Sequence, residues 1–158
     1  MNRSDVLAAA GLGAMAGMRS MSAPAFLSHR LSREDDDAEG PVDEVLSSKA
    51  SAGTLAAMAV GELVADKLPF MPSRLSPPVL ALRLVSGAFA GATLARRHKR
   101  SVVGPALVGA AAALVSSFAL YSVRRFATQR LRIPNILVGF LEDALVANVG
   151  MRLTEALE

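Results

Sequence analysis

Apolar residues run in long blocks along this chain, and charged residues gather in the stretches between them. That pattern predicts an all-α fold of about five hydrophobic helices. Blocks of roughly 20 residues span about 30 Å at the helical rise, the thickness of a bilayer's hydrocarbon core. The first block runs from about Val6 to Leu27, where Gly13 and Gly17 stand four apart, a spacing that lets another helix approach closely. Arg19 interrupts its apolar run, and Pro24 is expected to kink or end it. The second block, about Leu46 to Leu68, ends in a connection whose prolines, Pro69, Pro72, Pro77 and Pro78, rule out a continuous helix.

The third block, about Val79 to Leu94, is short and rich in alanine and glycine, with Gly87 and Gly91 in the same four-residue spacing. Its Gly87-Ala-Phe-Ala-Gly91 matches Gly13-Ala-Met-Ala-Gly17. So brief a match in such sequence reflects shared helix-packing chemistry better than an internal repeat. The fourth block runs from about Val102 to Val123 with a basic tail to about Leu131, and the fifth follows Pro134 to about Leu153. Residues 1–158 thus read as one transmembrane helical domain with a polar acidic loop at about 28–48. That loop holds Glu34, Asp35, Asp36, Asp37, Glu39, Asp43 and Glu44 beside Arg30 and Arg33. It lacks the spacing and glycine of a calcium-binding loop, so it is expected to be solvated. Arg3 before an apolar run and Ala23-Pro24-Ala25 faintly imitate a signal peptide. Arg19 stands where the apolar region of such a peptide should continue, which argues that the segment is retained.

Composition supports the membrane reading: 52% of residues are hydrophobic and the mean hydropathy is +0.38. With no cysteine there is no disulfide, thiol nucleophile or cysteine metal site. The two histidines, His29 and His98, lie in polar connections, so a histidine-based catalytic or metal centre has no foundation. No cofactor is expected, and whether a metal binds is open. The pI of about 9.9 raises nucleic acid as a partner. Aromatic residues at 4% leave too few stacking surfaces for bases. The basic clusters instead border apolar blocks, so Arg74, Arg96, Arg97, Arg124 and Arg125 are expected to contact anionic lipid headgroups. An external acidic loop would put the amino terminus inside, and five crossings then leave Arg96 to Arg100 outside, against the positive-inside rule.

The best functional lead is acidic. Glu62 and Asp66 lie near the end of the second block, and Glu142 and Asp143 interrupt the fifth. Ionisable groups at membrane depth face a protein interior or a wet cavity and often mark a pathway. With the second block ending at a membrane face, Glu62 is expected about 9 Å deep and Asp66 a turn shallower, with Glu142 and Asp143 at about 11–13 Å. Arg19 is their expected counter-ion, with Lys67 beside them and Arg83 nearer the surface. Four acids against one deep base would leave negative charge needing protons, water or a cation.

The runs Gly17-Met-Arg-Ser-Met-Ser-Ala-Pro24 and Gly61-Glu-Leu-Val-Ala-Asp-Lys-Leu-Pro69, with Pro72-Ser-Arg74, resemble the small bacterial membrane proteins grouped as domain of unknown function 4126. Arg83-Leu-Val-Ser-Gly-Ala-Phe-Ala-Gly91, Tyr121-Ser-Val-Arg-Arg125 and Glu142-Asp-Ala-Leu145 extend the resemblance over nearly the whole chain. The acidic stretch from Arg33 to Glu44 looks like a local elaboration. The resemblance implies a multi-pass protein of the bacterial inner membrane without an assigned activity.

The residues themselves leave three functions in view. One is a small transporter or channel component for a proton, cation or cationic solute, completed by homo-oligomerisation. Another is a membrane scaffold or partner subunit whose charge pairs are structural. A membrane enzyme using Glu62, Asp66, Lys67 and Arg74 with Mg²⁺ is third, and no familiar nucleophile or metal motif supports it.

Overall fold

The computed structural model describes residues 3–33, 40–65, 75–97 and 99–156. These form seven helices: α1 (Arg3–Met18), α2 (Ser22–Leu31), α3 (Pro41–Ser47), α4 (Lys49–Ala65), α5 (Pro77–Arg97), α6 (Val103–Gln129) and α7 (Asn135–Ala156). The fold is all-α among the described residues. The expectations for Asp66, Lys67, Arg74, His98 and the acids from Glu34 to Glu39 fall outside them.

The first apolar block is two helices rather than one. Pro24 sits in the first turn of α2, where a missing N–H is harmless. In a continuous helix its ring would press on the carbonyl of Ser20, four residues back. The break therefore falls at Arg19–Met21, a turn earlier than the proline alone suggests. The third block also exceeds its expected length. Pro77 and Pro78 open a helix of 21 residues, α5. With α6, it is one of two helices that are long and apolar enough to cross a membrane. α1, at 16 residues, is shorter.

Small residues set the packing of α1, α5 and α6. Gly13 faces Gly109 and Gly17 faces Ala113, so α1 runs parallel to α6. Gly87 faces Gly109 and Gly91 faces Pro105, so α5 runs antiparallel to both. A methyl group on Gly87 would lie 2.6 Å from the Gly109 carbonyl oxygen, so these backbones touch with no room for a side chain. Both glycine pairs of the sequence meet this single stripe on α6.

From the break, α2 turns back toward the end where α1 began. Ser28 Oγ donates to the Leu46 carbonyl at 2.6 Å. Arg97, at the close of α5, donates to Ser47 Oγ, also at 2.6 Å. Leu27, Leu31 and Leu46 join Ala8, Leu12 and Leu94 in one buried cluster. α1 and α2 thus form a helical hairpin with its tip inside the protein. α4 rises beside α2 to the same tip, where Glu62 meets Ser20 and Met21. α7 returns alongside: Asp143 reaches Arg19, and Gly150 lies against the Phe26 ring. Asp43, expected in a solvated loop, is instead fully buried in α3.

Burial departs from that of a water-soluble bundle. Between the helices, Ala9, Ala16, Ala90, Ala113, Ser86, Thr93 and Ser117 share the interior with Leu12, Met15, Leu27 and Leu94. Large apolar side chains face outward, among them Val115 at 68% and Leu141 at 67% exposure.

Candidate functional site

The break in the first block frees backbone groups that a continuous helix would pair. The N–H groups of Ser20 and Met21 donate to Glu62 Oε1 and Oε2, each at 2.9 Å. One carboxylate thus serves two amides at the entrance to α2, where amide dipoles favour negative charge. The Gly17 carbonyl accepts from Arg83 Nη1 at 3.0 Å and from Ser117 Oγ at 3.1 Å. The Ser20 carbonyl, which the Pro24 ring denies a helical partner, accepts from Ser86 Oγ.

Arginines tie this tip to the other helices. Arg19 is 3% exposed; its Nη2 pairs with Asp143 and its Nη1 donates to the Glu62 main-chain carbonyl at 3.4 Å. Arg124 Nη1 donates to Glu142 Oε2 at 3.1 Å. Four helices and the α1–α2 turn thereby converge on one layer of three carboxylates (Glu62, Glu142, Asp143) and three guanidiniums (Arg19, Arg83, Arg124).

The depth of the layer follows from helix register. Gly17, the acceptor for Arg83, faces Ala113. Ala113 lies at the middle of the apolar stretch of α6 from Val103 to Val123, about 15 Å from either end.

Several expectations are corrected here. Arg83, placed nearer the surface by sequence, is 2% exposed at the centre. It stands on the same helical face as Gly87 and Gly91, four and eight residues on, and that spacing was the signal for it. Glu62 lies at mid-depth rather than about 9 Å in, because α4 ends at the hairpin tip instead of at a surface. Arg124 turns its guanidinium inward to Glu142, away from the headgroup role. Arg97 reaches Ser47, whereas Arg96 and Arg125 are exposed. An ion pair of Arg100 with buried Asp5 closes the end opposite Arg124 and was not anticipated. Of the four acids expected, Glu62, Glu142 and Asp143 are met by Arg19, Arg83 and Arg124 in equal number, and Asp66 lies outside the described residues. Those residues include no group of three or more metal-ligating side chains placed to hold an ion.

The sequence model of the family described as domain of unknown function (DUF4126) matches residues 6–153. The chain belongs to that family. No curated protein and no solved structure matches it. The DUF4126 match takes in the hairpin, the glycine stripe and every charged member of the layer.

Within this DUF4126 chain the carboxylates are not equivalent. Glu142 and Asp143 each have an arginine partner. The Glu62 carboxylate is held by two backbone amides instead.

Proposed function

We propose that this chain is a multi-pass protein of the cell membrane and a small proton- or cation-linked transport component, with Glu62 as its exchanging group. The membrane reading is supported by many large apolar side chains facing outward and by small residues at the α1–α5–α6 contact, on helices that include two of spanning length. In that reading α6 crosses and α7 returns beside it, α5 runs from beyond the midplane back to the face where α1 starts, and α1–α2 is a re-entrant hairpin whose tip lies at the midplane.

The observation that carries the transport reading is the broken helix. Irregular backbone at mid-depth must be buried in protein or line a cavity. Here its freed groups are held by Glu62, Arg83, Ser86 and Ser117, so exchange would run through the Glu62 side chain rather than through open backbone. Glu62 sits on that break. Glu142 and Asp143, paired with arginines, position the layer, and Arg19 joins α1 to α4 and α7. A homo-oligomer completes the pathway that one small chain encloses only in part. Reconstituted liposomes test the idea: pH- or cation-dependent flux is expected from the wild type and a loss of it in Glu62→Gln. Equal flux in both excludes Glu62 as the exchanging group, and no flux in either excludes transport.

A second reading, a non-transporting scaffold or partner subunit, is favoured by the matched charges and the close α1–α5–α6 contact. Polar pairs and small residues are what hold membrane helices together. It is distinguished by recovery of a stoichiometric partner on crosslinking in native membranes.

A further inference from the structure

The face of α6 beyond the charged layer forms an open groove of about 460 Å³ lined by Tyr121, Arg124, Arg125, Thr128 and Gln129. A second groove of about 310 Å³ shares Tyr121, Arg125 and Gln129 with it and adds Arg130. We propose that this face is a binding site for the phosphate of an anionic phospholipid headgroup, with the acyl chains lying along the exposed apolar side of α6. The inference rests on the membrane reading above and is independent of transport.

Three features point to that occupant. The first is position. α6 has 27 residues and spans about 40 Å, so its last turns extend past a hydrocarbon core of about 30 Å to headgroup level. Tyr121 stands at the boundary, where tyrosine rings favour the interface.

Donor chemistry is the second. Arg125 Nε bonds Gln129 Oε1 at 3.2 Å, which steadies the guanidinium and leaves its terminal nitrogens to face an anion. The third is the apolar floor. Toward the midplane, the outward side chains of α6 are Phe118, Val115 and Leu114, all exposed. A free phosphate has no use for such a floor, whereas acyl chains cover it.

The test uses the purified full chain in neutral detergent, with melting temperature as readout. Phosphatidylglycerol is expected to raise it by about 5 °C at saturation. Phosphatidylcholine and inorganic phosphate are expected to leave it unchanged. Arg125→Ala should abolish the rise, while Lys49→Ala, an equal loss of charge at the exposed start of α4, should keep it. A similar rise with inorganic phosphate overturns the lipid assignment, and one with phosphatidylcholine overturns recognition of the anionic headgroup. Loss of the effect in Lys49→Ala reduces it to general charge attraction. Where Arg125→Ala does not fold, Arg125→Gln is assayed for retained phosphatidylglycerol by native mass spectrometry, and undiminished retention overturns the site. Wild-type protein that stays in carbonate-washed membranes yet ignores phosphatidylglycerol defeats this inference alone, while release by carbonate defeats the membrane reading.

Discussion

Arg19 and Asp143 form the pair whose energetics are most open to measurement. Removing one partner of a buried ion pair leaves the other charge uncompensated, a loss of about 3–5 kcal/mol. Arg19→Ala is therefore expected to lower the melting temperature in detergent by roughly 10 °C, well beyond Arg96→Ala, whose side chain is exposed. Adding Asp143→Asn to Arg19→Ala should recover part of the loss, and adding Glu62→Gln should not. The Glu62 carboxylate belongs to the Ser20 and Met21 amides rather than to Arg19. Rescue by Glu62→Gln in place of Asp143→Asn would show that the pairing is misassigned. Burial of Arg19 was legible because one base stood alone in an apolar run. That of Arg83 was not: its block looked short and seemed to start just before it, which put the arginine near a surface. The hidden first turn supplied by Pro77 and Pro78 moved it inward.

At the scale of elements, the glycine spacing was legible and its consequence strong. Gly109→Ala drives a methyl into the Gly87 backbone. It is expected to destabilise by at least about 1–3 kcal/mol, since overpacked backbones must separate. Gly139→Ala, in α7, meets nothing within 4 Å and should be neutral or stabilising by about 0.5–1 kcal/mol through helix propensity alone. Thermal melts of the two variants check the contrast, and equal effects would mean that α5 and α6 are not in backbone contact. The break at Arg19–Met21 shows where sequence reasoning fails. Pro24 announced a disturbance, but a proline disrupts the carbonyl four residues before it, and only the fold reveals that Glu62, Arg83 and Ser86 take up the freed groups. Glu62→Gln keeps a single acceptor oxygen for two amides. A fall of about 1–2 kcal/mol is therefore expected even if transport is unaffected.

For the whole molecule, the hairpin changes the topology that hydropathy suggests. Five blocks read as five crossings, which place the two termini on opposite faces and Arg96 to Arg100 opposite Arg124 to Arg132. In the proposed membrane reading, the packing brings α1, α2 and α4 only to mid-depth, returns α5 to the starting end, and has α6 crossing and α7 coming back. The first turn of α1, the α5–α6 turn and the end of α7 then share one face, with the α6–α7 turn on the other. That face also carries most of the basic residues of the described segments, including Arg3, Arg30, Arg97, Lys99, Arg100 and Arg152, so the proposal expects it in the cytoplasm under the positive-inside rule. Because the native chain has no cysteine, single cysteines report cleanly on this arrangement. Cysteines placed at Arg3, Lys99 and Arg152 should react together with a membrane-impermeant maleimide only after the cytoplasmic face is opened, and one at Gln129 should react in intact cells. Five true crossings would instead pair Arg3 with Gln129 and Lys99 with Arg152. That second pattern would remove the re-entrant hairpin, and with it the placement of Glu62 at the midplane on which the transport reading depends.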